Sequence, residues 1–222
     1  MLPLSNYIDH TLLKPTASES DIQVLCNEAI QNNFFAVCVN GCYVDLCKML
    51  LATSNIQIAS VIGFPLGAAA TISKVQEAKC ATQDGADEID MVLNIAWLKD
   101  KKYTLVKDEI AAVKNAIGNK ILKVIIETCY LTNDEKKRAT ELIIEAKADF
   151  VKTSTGFGTN GATLEDVALI KSITQNSIQI KASGGIRDAE TALKYIELGV
   201  TRIGTSNGVQ IVNGQTSTNQ SY

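Results

Sequence analysis

Eight short apolar segments alternate along the chain with longer segments in which apolar residues recur every three to four positions. The short segments have strand character, and the longer ones have the spacing of amphipathic helices. The predicted strands cover residues 7–12, 36–40, 58–62, 88–93, 122–127, 149–153, 178–182 and 202–204. The predicted helices between them include 20–31, 73–84, 105–117, 133–146 and 188–198.

The predicted strands begin 22–34 residues apart, which is the length of one βα unit. Strands that alternate with helices in this way imply a parallel sheet with right-handed crossovers. Eight units favour an α/β fold with a single closed (β/α)8 TIM barrel over an open, doubly wound sheet. We expect one domain over residues 1–212, with a very short final helix because only 209–212 is apolar. The polar residues 213–222 are predicted to be a mobile tail.

Composition excludes several classes of protein. The 222 residues are 46% hydrophobic and carry a net charge of −3, which suits a globular core and disfavours binding to nucleic acid or to a membrane surface. No apolar stretch is long enough to span a membrane, and no signal peptide is visible, so we expect a cytoplasmic protein. The six cysteines include no C-x-x-C pair and there is one histidine, so we expect reduced thiols and no metal.

Charged residues occur inside several predicted strands, where a barrel normally carries branched apolar residues. Strand alternation places Asp90, Lys152 and Lys181 on the interior side, and Lys123 and Glu127 share the inward parity of the fifth strand. Inward charges are costly unless they are paired or lie at the C-terminal mouth, where active sites of this fold occur. A structural ion-pair network is one interpretation. The other interpretation is a functional site, which is favoured because titratable groups of different types lie at the ends of three strands.

Lys152 and Lys181 lie on consecutive predicted strands, which run about 4.8 Å apart in a sheet. Burial and a neighbouring positive charge both favour the neutral form of an amine. A neutral lysine can attack a carbonyl carbon and form a Schiff base. The sequence therefore predicts that one of the two amines is uncharged at neutral pH and acts as a nucleophile. On the second strand, Cys38 also has inward parity and is expected to be a small core residue.

Two glycine-containing loops follow the seventh and eighth strands, at 183–187 and 204–208. Loops at these two strands are the usual phosphate site of a (β/α)8 barrel, because backbone N–H groups and helix N-termini favour anions. A third segment, GFGTNG at 156–161, has the G-x-G-x-x-G spacing of dinucleotide sites. It follows the sixth strand, and residue 181, twenty positions later, is a lysine instead of an acid. We therefore expect no dinucleotide site here, and we expect Thr155 and Gly156 to help line the mouth.

These residues belong to longer motifs that are specific in combination. Over nearly its whole length, the chain resembles the deoxyribose-phosphate aldolase family. Members of this family are class I aldolases with a (β/α)8 barrel. The resemblance rests on IDHTLLKP at 8–15, GADEIDMV at 85–92, KVIIET at 123–128, FVKTSTGF at 150–157, KASGGIR at 181–187 and RIGTS at 202–206.

The resemblance implies reversible cleavage of 2-deoxy-D-ribose 5-phosphate to D-glyceraldehyde 3-phosphate and acetaldehyde, with neither metal nor organic cofactor. It implies that Lys152 forms the Schiff base and that Lys181 and Asp90 relay protons. The implied phosphate contacts are Thr155, Gly156, Gly184, Gly185, Gly204 and Ser206. Some family members have a lysine where this chain has Phe157, so Arg187 is expected to carry part of the phosphate charge. Candidates for minor roles are Asp9, Cys38, Lys123 and Tyr222, a phenol in the tail that could close over the mouth.

Three alternatives remain open from the residues alone. A phosphosugar isomerase on the same barrel would use carboxylate or imidazole chemistry. A pyridoxal-phosphate protein would also combine a lysine with a phosphate cradle. A non-catalytic barrel would bind a phosphosugar without turnover. In each case the expected partner is a small molecule and neither a nucleic acid nor a membrane, and a homodimer or higher homo-oligomer is left open.

Overall fold

The structure, a computed structural model, describes residues 3–175 and 177–215. Within these residues, eight parallel strands form a closed barrel in which each strand pairs with the next in sequence and β8 pairs with β1. The strands are β1 (Ile8–Leu12), β2 (Ala36–Asn40), β3 (Gln57–Ile62), β4 (Glu88–Val92), β5 (Ile121–Ile125), β6 (Phe150–Lys152), β7 (Gln179–Ser183) and β8 (Arg202–Thr205). The predicted single (β/α)8 barrel is confirmed.

Helices follow the strands and cover the outside of the barrel. They are α1 (Glu19–Asn32), α2 (Val44–Leu50), α3 (Thr71–Asp84), α4 (Ile95–Lys99), α5 (Tyr103–Ile117), α6 (Asn133–Glu145), α7 (Leu164–Thr174), α8 (Ala189–Glu197) and α9 (Gly208–Val212). Local sequence determines several of their ends. Ser18 begins α1 with a capping box to Asp21, and Gly85 ends α3 in the left-handed region at φ 114°.

The predicted and observed strands differ most at β5. This strand was expected to cover 122–127 with Glu127 facing inward, but it ends at Ile125. Glu127 lies beyond the strand with φ 51°, so its side chain reaches the mouth from a loop. The last helix, α9, has five residues, in agreement with the short final helix expected from the sequence. Residues 216–222 lie outside the described residues, so the tail over 213–222 stays a prediction.

The apolar core has two parts, one outside the strands and one inside the barrel. The larger lies between barrel and helices and includes outward-facing strand residues such as Val37, Ile89 and Val151. The smaller consists of Leu13, Cys38, Ala59 and Val61, with Phe64 packed against it. Its members have the parity opposite to Val37 on β2 and come from the β1–β3 side. The barrel interior is therefore apolar where β2 and β3 line it.

A buried ion pair joins two helices to the end of β4. The Lys74 ammonium donates to Glu109 Oε2 at 2.7 Å and to the Val92 carbonyl at 2.9 Å, and Thr71 Oγ1 donates to Glu109 Oε1 at 3.1 Å. Both charged side chains are fully buried. Burial lowers the pKa of Lys74, and the Glu109 carboxylate only partly opposes this effect.

Replacing Glu109 with glutamine is expected to lower the free energy of unfolding by about 3–5 kcal/mol, because it leaves a buried ammonium without its counter-ion. Urea unfolding measures the loss. The double variant Lys74→Met/Glu109→Leu should recover most of it, since no buried charge remains. The matched control is Glu190→Gln in the exposed Lys194–Glu190 pair, which should leave the unfolding midpoint unchanged. A Glu109→Gln protein as stable as the wild type would contradict this account.

No helix in the described part of the chain is both long and apolar enough to cross a membrane.

Candidate active site

Two lysines and an aspartate meet inside the barrel. Lys152 is the last residue of β6, and its register partner on β7 is Lys181. Asp90 reaches them from β4, and its Oδ2 atom accepts from Lys152 Nζ at 2.8 Å and from Lys181 Nζ at 2.8 Å. The two amine nitrogens therefore cannot lie further apart than twice that distance. This is the close approach that the sequence predicted.

The ion pairs continue from Asp90 toward the N-terminal end of the barrel. Lys123 donates to Asp90 Oδ1 at 2.7 Å and lies 2.6 Å from Glu88 Oε2. Lys181 also pairs with Asp9, with Nζ 2.5 Å from Oδ2. Each carboxylate of this group is thus shared between at least two cations, which is how buried charges are stabilised.

Arg202 closes the network at the start of β8. Its Nη1 lies 2.5 Å from Asp9 Oδ1 and its Nη2 lies 2.5 Å from Glu88 Oε1. The guanidinium carbon lies 3.4 Å from the centre of the Phe35 ring and 5.8 Å from that of Phe150. Arg202 is 5% exposed, so its guanidinium is buried against the Phe150 ring and the partly exposed Phe35 ring at the end of the barrel opposite the mouth. The charged cluster, as we call it, consists of Asp9, Glu88, Asp90, Lys123, Lys152, Lys181 and Arg202.

The charges of the cluster stabilise one another against burial. Burial alone lowers the pKa of Lys181, but the carboxylates of Asp9 and Asp90 outweigh it and hold this pKa well above its usual range. Burial likewise raises the pKa of Asp90, yet Lys123, Lys152 and Lys181 hold it well below its usual range. At neutral pH, Lys181 is therefore a charged ammonium and Asp90 an ionised carboxylate.

Two members of the cluster, Glu88 and Arg202, were not predicted from the sequence. The C-terminal mouth is where interior charge is expected, whereas these residues begin β4 and β8. A signal for Glu88 was present, because it has the same strand parity as Asp90. Arg202 gives a weaker signal, because an arginine at the first residue of a strand is ordinarily solvent-exposed.

A second polar pair lies at the rim of the mouth. The Glu127 carboxylate accepts from the Thr155 N–H at 3.1 Å and from the Thr155 hydroxyl. Burial raises the pKa of Glu127, although the Thr155 hydrogen bonds oppose the rise. The Phe157 N–H donates to Thr155 Oγ1 at 2.9 Å, and the Phe157 ring meets Phe64 edge-on with centroids 5.3 Å apart. Thr155 is therefore fixed beside the mouth, as expected from its position after β6.

The loops after β6 and β7 pack backbone against backbone. Gly184 and Gly185 have φ 86° and 79°, and the Ala162 N–H donates to the Gly184 carbonyl at 3.1 Å. A Cβ atom on Gly161 would lie 2.2 Å from the Gly184 oxygen, so no side chain fits there. In β8, a Cβ on Gly204 would lie 3.0 Å from Lys181 Cε. These glycines allow a close approach that L side chains would prevent.

Two further candidates lie near these loops. Arg187 is half-buried, and its guanidinium makes no hydrogen bond or ion pair to any described residue. Ser206 lines a cavity of about 500 Å³ between the loop after β8 and α1, together with His10. His10 Nε2 lies 2.7 Å from Glu28 Oε2. None of the residues that line this cavity belongs to the charged cluster.

Three further predicted residues are Gly156, Cys38 and Tyr222. Gly156 follows Thr155 with φ 88°. Cys38 is fully buried, and its Sγ lies 4.0 Å from Asp90 Oδ2; burial raises the pKa of its thiol. Tyr222 lies outside the described residues, so its role stays a prediction. Among residues 3–175 and 177–215, no group of three or more His, Cys, Asp or Glu side chains has a geometry that could hold a metal ion.

Comparison with known proteins identifies the family. The family profile described as DeoC/LacD family aldolase matches residues 4–213. The chain belongs to this family. It is 54% identical over 213 residues to the deoxyribose-phosphate aldolase of Finegoldia magna, covering 96% of this chain and 100% of that protein. It is 57% identical over 216 residues to that of Thermococcus kodakarensis, covering 95% of this chain and 96% of the relative.

Solved structures of family members have the same barrel. An aldolase named QR15 is 45% identical and superimposes with a TM-score of 0.92, covering 96% of both chains. The deoxyribose phosphate aldolase of Aeropyrum pernix is 32% identical with a TM-score of 0.86, covering 95% of this chain and 89% of that one. That structure is described as tetrameric. The barrel of this chain therefore matches the barrels of solved aldolase structures.

Proposed function

We propose that the protein reversibly cleaves 2-deoxy-D-ribose 5-phosphate to D-glyceraldehyde 3-phosphate and acetaldehyde, through a Schiff base on Lys152. The observation that carries the proposal is the meeting of two lysine amines at one oxygen of Asp90, inside a barrel of the DeoC/LacD aldolase family. The names of the relatives in Finegoldia magna and Thermococcus kodakarensis support the choice of substrate.

Charge balance in the cluster supports Lys152 as the neutral nucleophile. The cluster holds four cationic side chains against three carboxylates, so one cation is in excess within it, and the nearby Glu127 carboxyl group is hydrogen-bonded to Thr155 and forms no ion pair among the described residues. Lys181 contacts two carboxylates and Lys123 contacts three. Lys152 contacts a single oxygen, which it shares with Lys181. Lys152 therefore has the fewest counter-ions among the cations of the cluster, and the nucleophilic role requires its neutral amine.

The neutral Lys152 amine would then attack C1 of the open-chain sugar and, after loss of water, form an imine. Loss of the C3 hydroxyl proton breaks the C2–C3 bond, and the electron pair passes into the imine to give an enamine. Protonation of C2 and hydrolysis of the new imine release acetaldehyde. The ionised Asp90 and the charged Lys181, with water, are placed to accept and return these protons.

The glycine loops support binding of the phosphate at the other end of the substrate. The backbone around Gly184 and Gly185 leads into α8, whose N-terminal end favours negative charge. Arg187, which is half-buried and has no counter-ion among the described side chains, adds a full positive charge to this region. Phosphate held here would keep the reacting carbons at a fixed distance from Lys152.

Replacing Gly161 with alanine tests the phosphate site separately from the chemistry. The new methyl group would push the Gly184 carbonyl away, because a Cβ there lies 2.2 Å from its oxygen. We expect KM for deoxyribose 5-phosphate to rise on the order of 10- to 100-fold. Reaction of Lys152 with acetaldehyde, which has no phosphate, should be unchanged. Gly41→Ala is the control, since its nearest neighbour is 3.8 Å away. An unchanged KM in Gly161→Ala would argue against phosphate binding at this loop.

The proposed function is tested by borohydride reduction in the presence of acetaldehyde, followed by peptide mapping. The expected result is a two-carbon addition on Lys152 and a matching loss of activity. Turnover without any trapped lysine would indicate isomerase-type acid–base chemistry. A visible absorption band of a bound cofactor imine before substrate is added would indicate a pyridoxal-phosphate protein. Binding of the phosphosugar without turnover would indicate a non-catalytic barrel.

We also propose that the protein forms a homo-oligomer and works in the cytoplasm. The description of the Aeropyrum pernix relative as a tetramer supports the first part. Size-exclusion chromatography with light scattering measures the oligomeric state directly.

A further inference from the structure

We propose that Arg202 and Glu88 are positioning residues that set the protonation of Lys152 from the far end of the barrel, through the charge balance of the buried cluster. The proposal rests on the proposed role of Lys152 as the nucleophile. It assigns a function to two residues that lie at the N-terminal ends of their strands, away from the mouth.

Two continuous routes of ion pairs join these residues to Lys152. Arg202 pairs with Asp9, which pairs with Lys181, and Lys181 shares an oxygen of Asp90 with Lys152. Glu88 pairs with Lys123, which donates to the other oxygen of Asp90. Each step is an ion pair between 2.5 and 2.8 Å. A change of charge at either end therefore acts on Lys152 through closely packed, polarised groups.

Burial prevents solvent from screening these charges. The charged side chains of the cluster are between 0 and 6% exposed. The Phe35 and Phe150 rings flank the Arg202 guanidinium, and Arg202 itself is only 5% exposed. In such surroundings a unit charge acts over a longer range than it does at a surface.

The groups that face Lys152 come from nearly every strand. Their charges determine whether a substitution favours or disfavours the protonated form of Lys152. The β3 contribution is apolar, through Ala59 and Val61. Glu127 forms no ion pair within 4.0 Å in the described part of the chain, and its oxygens are held by Thr155. The titratable and charged groups are Asp9 on β1, Cys38 on β2, Glu88 and Asp90 on β4, Lys123 on β5, Glu127 after β5, Lys181 on β7 and Arg202 on β8.

Opposite changes of charge should have opposite effects on Lys152. Removing the Arg202 charge leaves three cations against three carboxylates with Lys152 protonated, so the ammonium form becomes balanced and persists to higher pH. Removing the Glu88 charge leaves four cations against two carboxylates, so Lys152 loses its proton at lower pH. Removing both charges restores an excess of one cation. A merely structural role for the two residues would produce no such reversal of sign.

The experiment measures the pH dependence of kcat/KM for deoxyribose 5-phosphate cleavage, which reports the protonation of essential groups in the free enzyme. The variants are Arg202→Met, Glu88→Gln and the double variant. We expect the acidic limb to move upward by about 1 pH unit in Arg202→Met and downward by about 1 unit in Glu88→Gln, as one charge about 10 Å away would do at an effective dielectric constant of about 20. The double variant should return to the wild-type position.

The control is Arg202→Lys, which keeps the positive charge but loses the bidentate contact of the guanidinium with Asp9 and Glu88. The acidic limb of its pH profile should stay at the wild-type pH. Shifts in the same direction in both single variants, or no shift in either, would overturn the inference. If Arg202→Met does not fold, the sign of the Glu88→Gln shift decides alone. Borohydride trapping of Lys152 in the wild type separates the two proposals. Trapping without shifts contradicts only this inference, whereas turnover without trapping contradicts the proposed function itself.

Discussion

Replacing Lys152 with methionine is expected to reduce aldol cleavage on the order of 10⁴-fold or more, because the variant has no amine to form the imine. The loss should appear in kcat and should not be recovered at high substrate concentration. Coupled detection of glyceraldehyde 3-phosphate measures the rate. Borohydride treatment with acetaldehyde should leave the methionine variant unmodified at every position that is trapped in the wild type.

The same variant should fold and should be at least as stable as the wild type. Removing Lys152 leaves three cations and three carboxylates in the cluster, so no carboxylate is left without a counter-ion. The matched control is Lys137→Met on α6, an exposed lysine 3.5 Å from Asp134, which should keep full activity. Activity of Lys152→Met within tenfold of the wild type would refute the Schiff-base mechanism.

Replacing Lys181 with leucine is the second substitution with a large expected effect. The variant loses the ammonium that shares Asp90 Oδ2 with Lys152, so the positive charge next to the Lys152 amine is gone. It also loses a proton donor beside the reacting carbons. Together these changes should lower kcat/KM on the order of 10²- to 10⁴-fold while the barrel still folds. Circular dichroism checks the fold, and initial rates of cleavage measure the loss.

Lys181→Arg separates the two contributions of this residue. A guanidinium keeps the positive charge but does not release a proton at accessible pH. If Lys181 acts both as a fixed charge and as a proton carrier, the arginine variant should still be trapped at Lys152 by borohydride and yet turn over slowly. Full turnover in Lys181→Arg would show that the charge alone is needed. Full turnover in Lys181→Leu would remove Lys181 from the mechanism.

Strand alternation was sufficient to predict which side chains enter the barrel near the mouth. Asp90, Lys152 and Lys181 each have apolar neighbours in the strand, and a charge at a position that must face inward is easy to recognise. Neighbouring strands in sequence are neighbours in a parallel barrel, so the pairing of Lys152 with Lys181 followed from the order of the strands.

Partners across the barrel could not be predicted in the same way. Arg202 meets Asp9 and Glu88 only because the sheet closes, which brings β1, β4 and β8 around one interior. Nothing local in the sequence specifies which strands face each other across that space. Lys74 is a similar case, because a lysine in a helix is ordinarily exposed and its partner, Glu109, lies 35 residues away.

Arg202 and its ion pairs lie at the end of the barrel opposite the mouth, whereas Lys152 is the last residue of β6 at the mouth. Under the proposed reaction, the two carbons retained on Lys152 stay covalently bound after the C2–C3 bond breaks, while the phosphorylated fragment is already free. The two products must therefore depart in sequence, with glyceraldehyde 3-phosphate first and acetaldehyde last. In the synthetic direction, the two-carbon aldehyde must enter before the acceptor does.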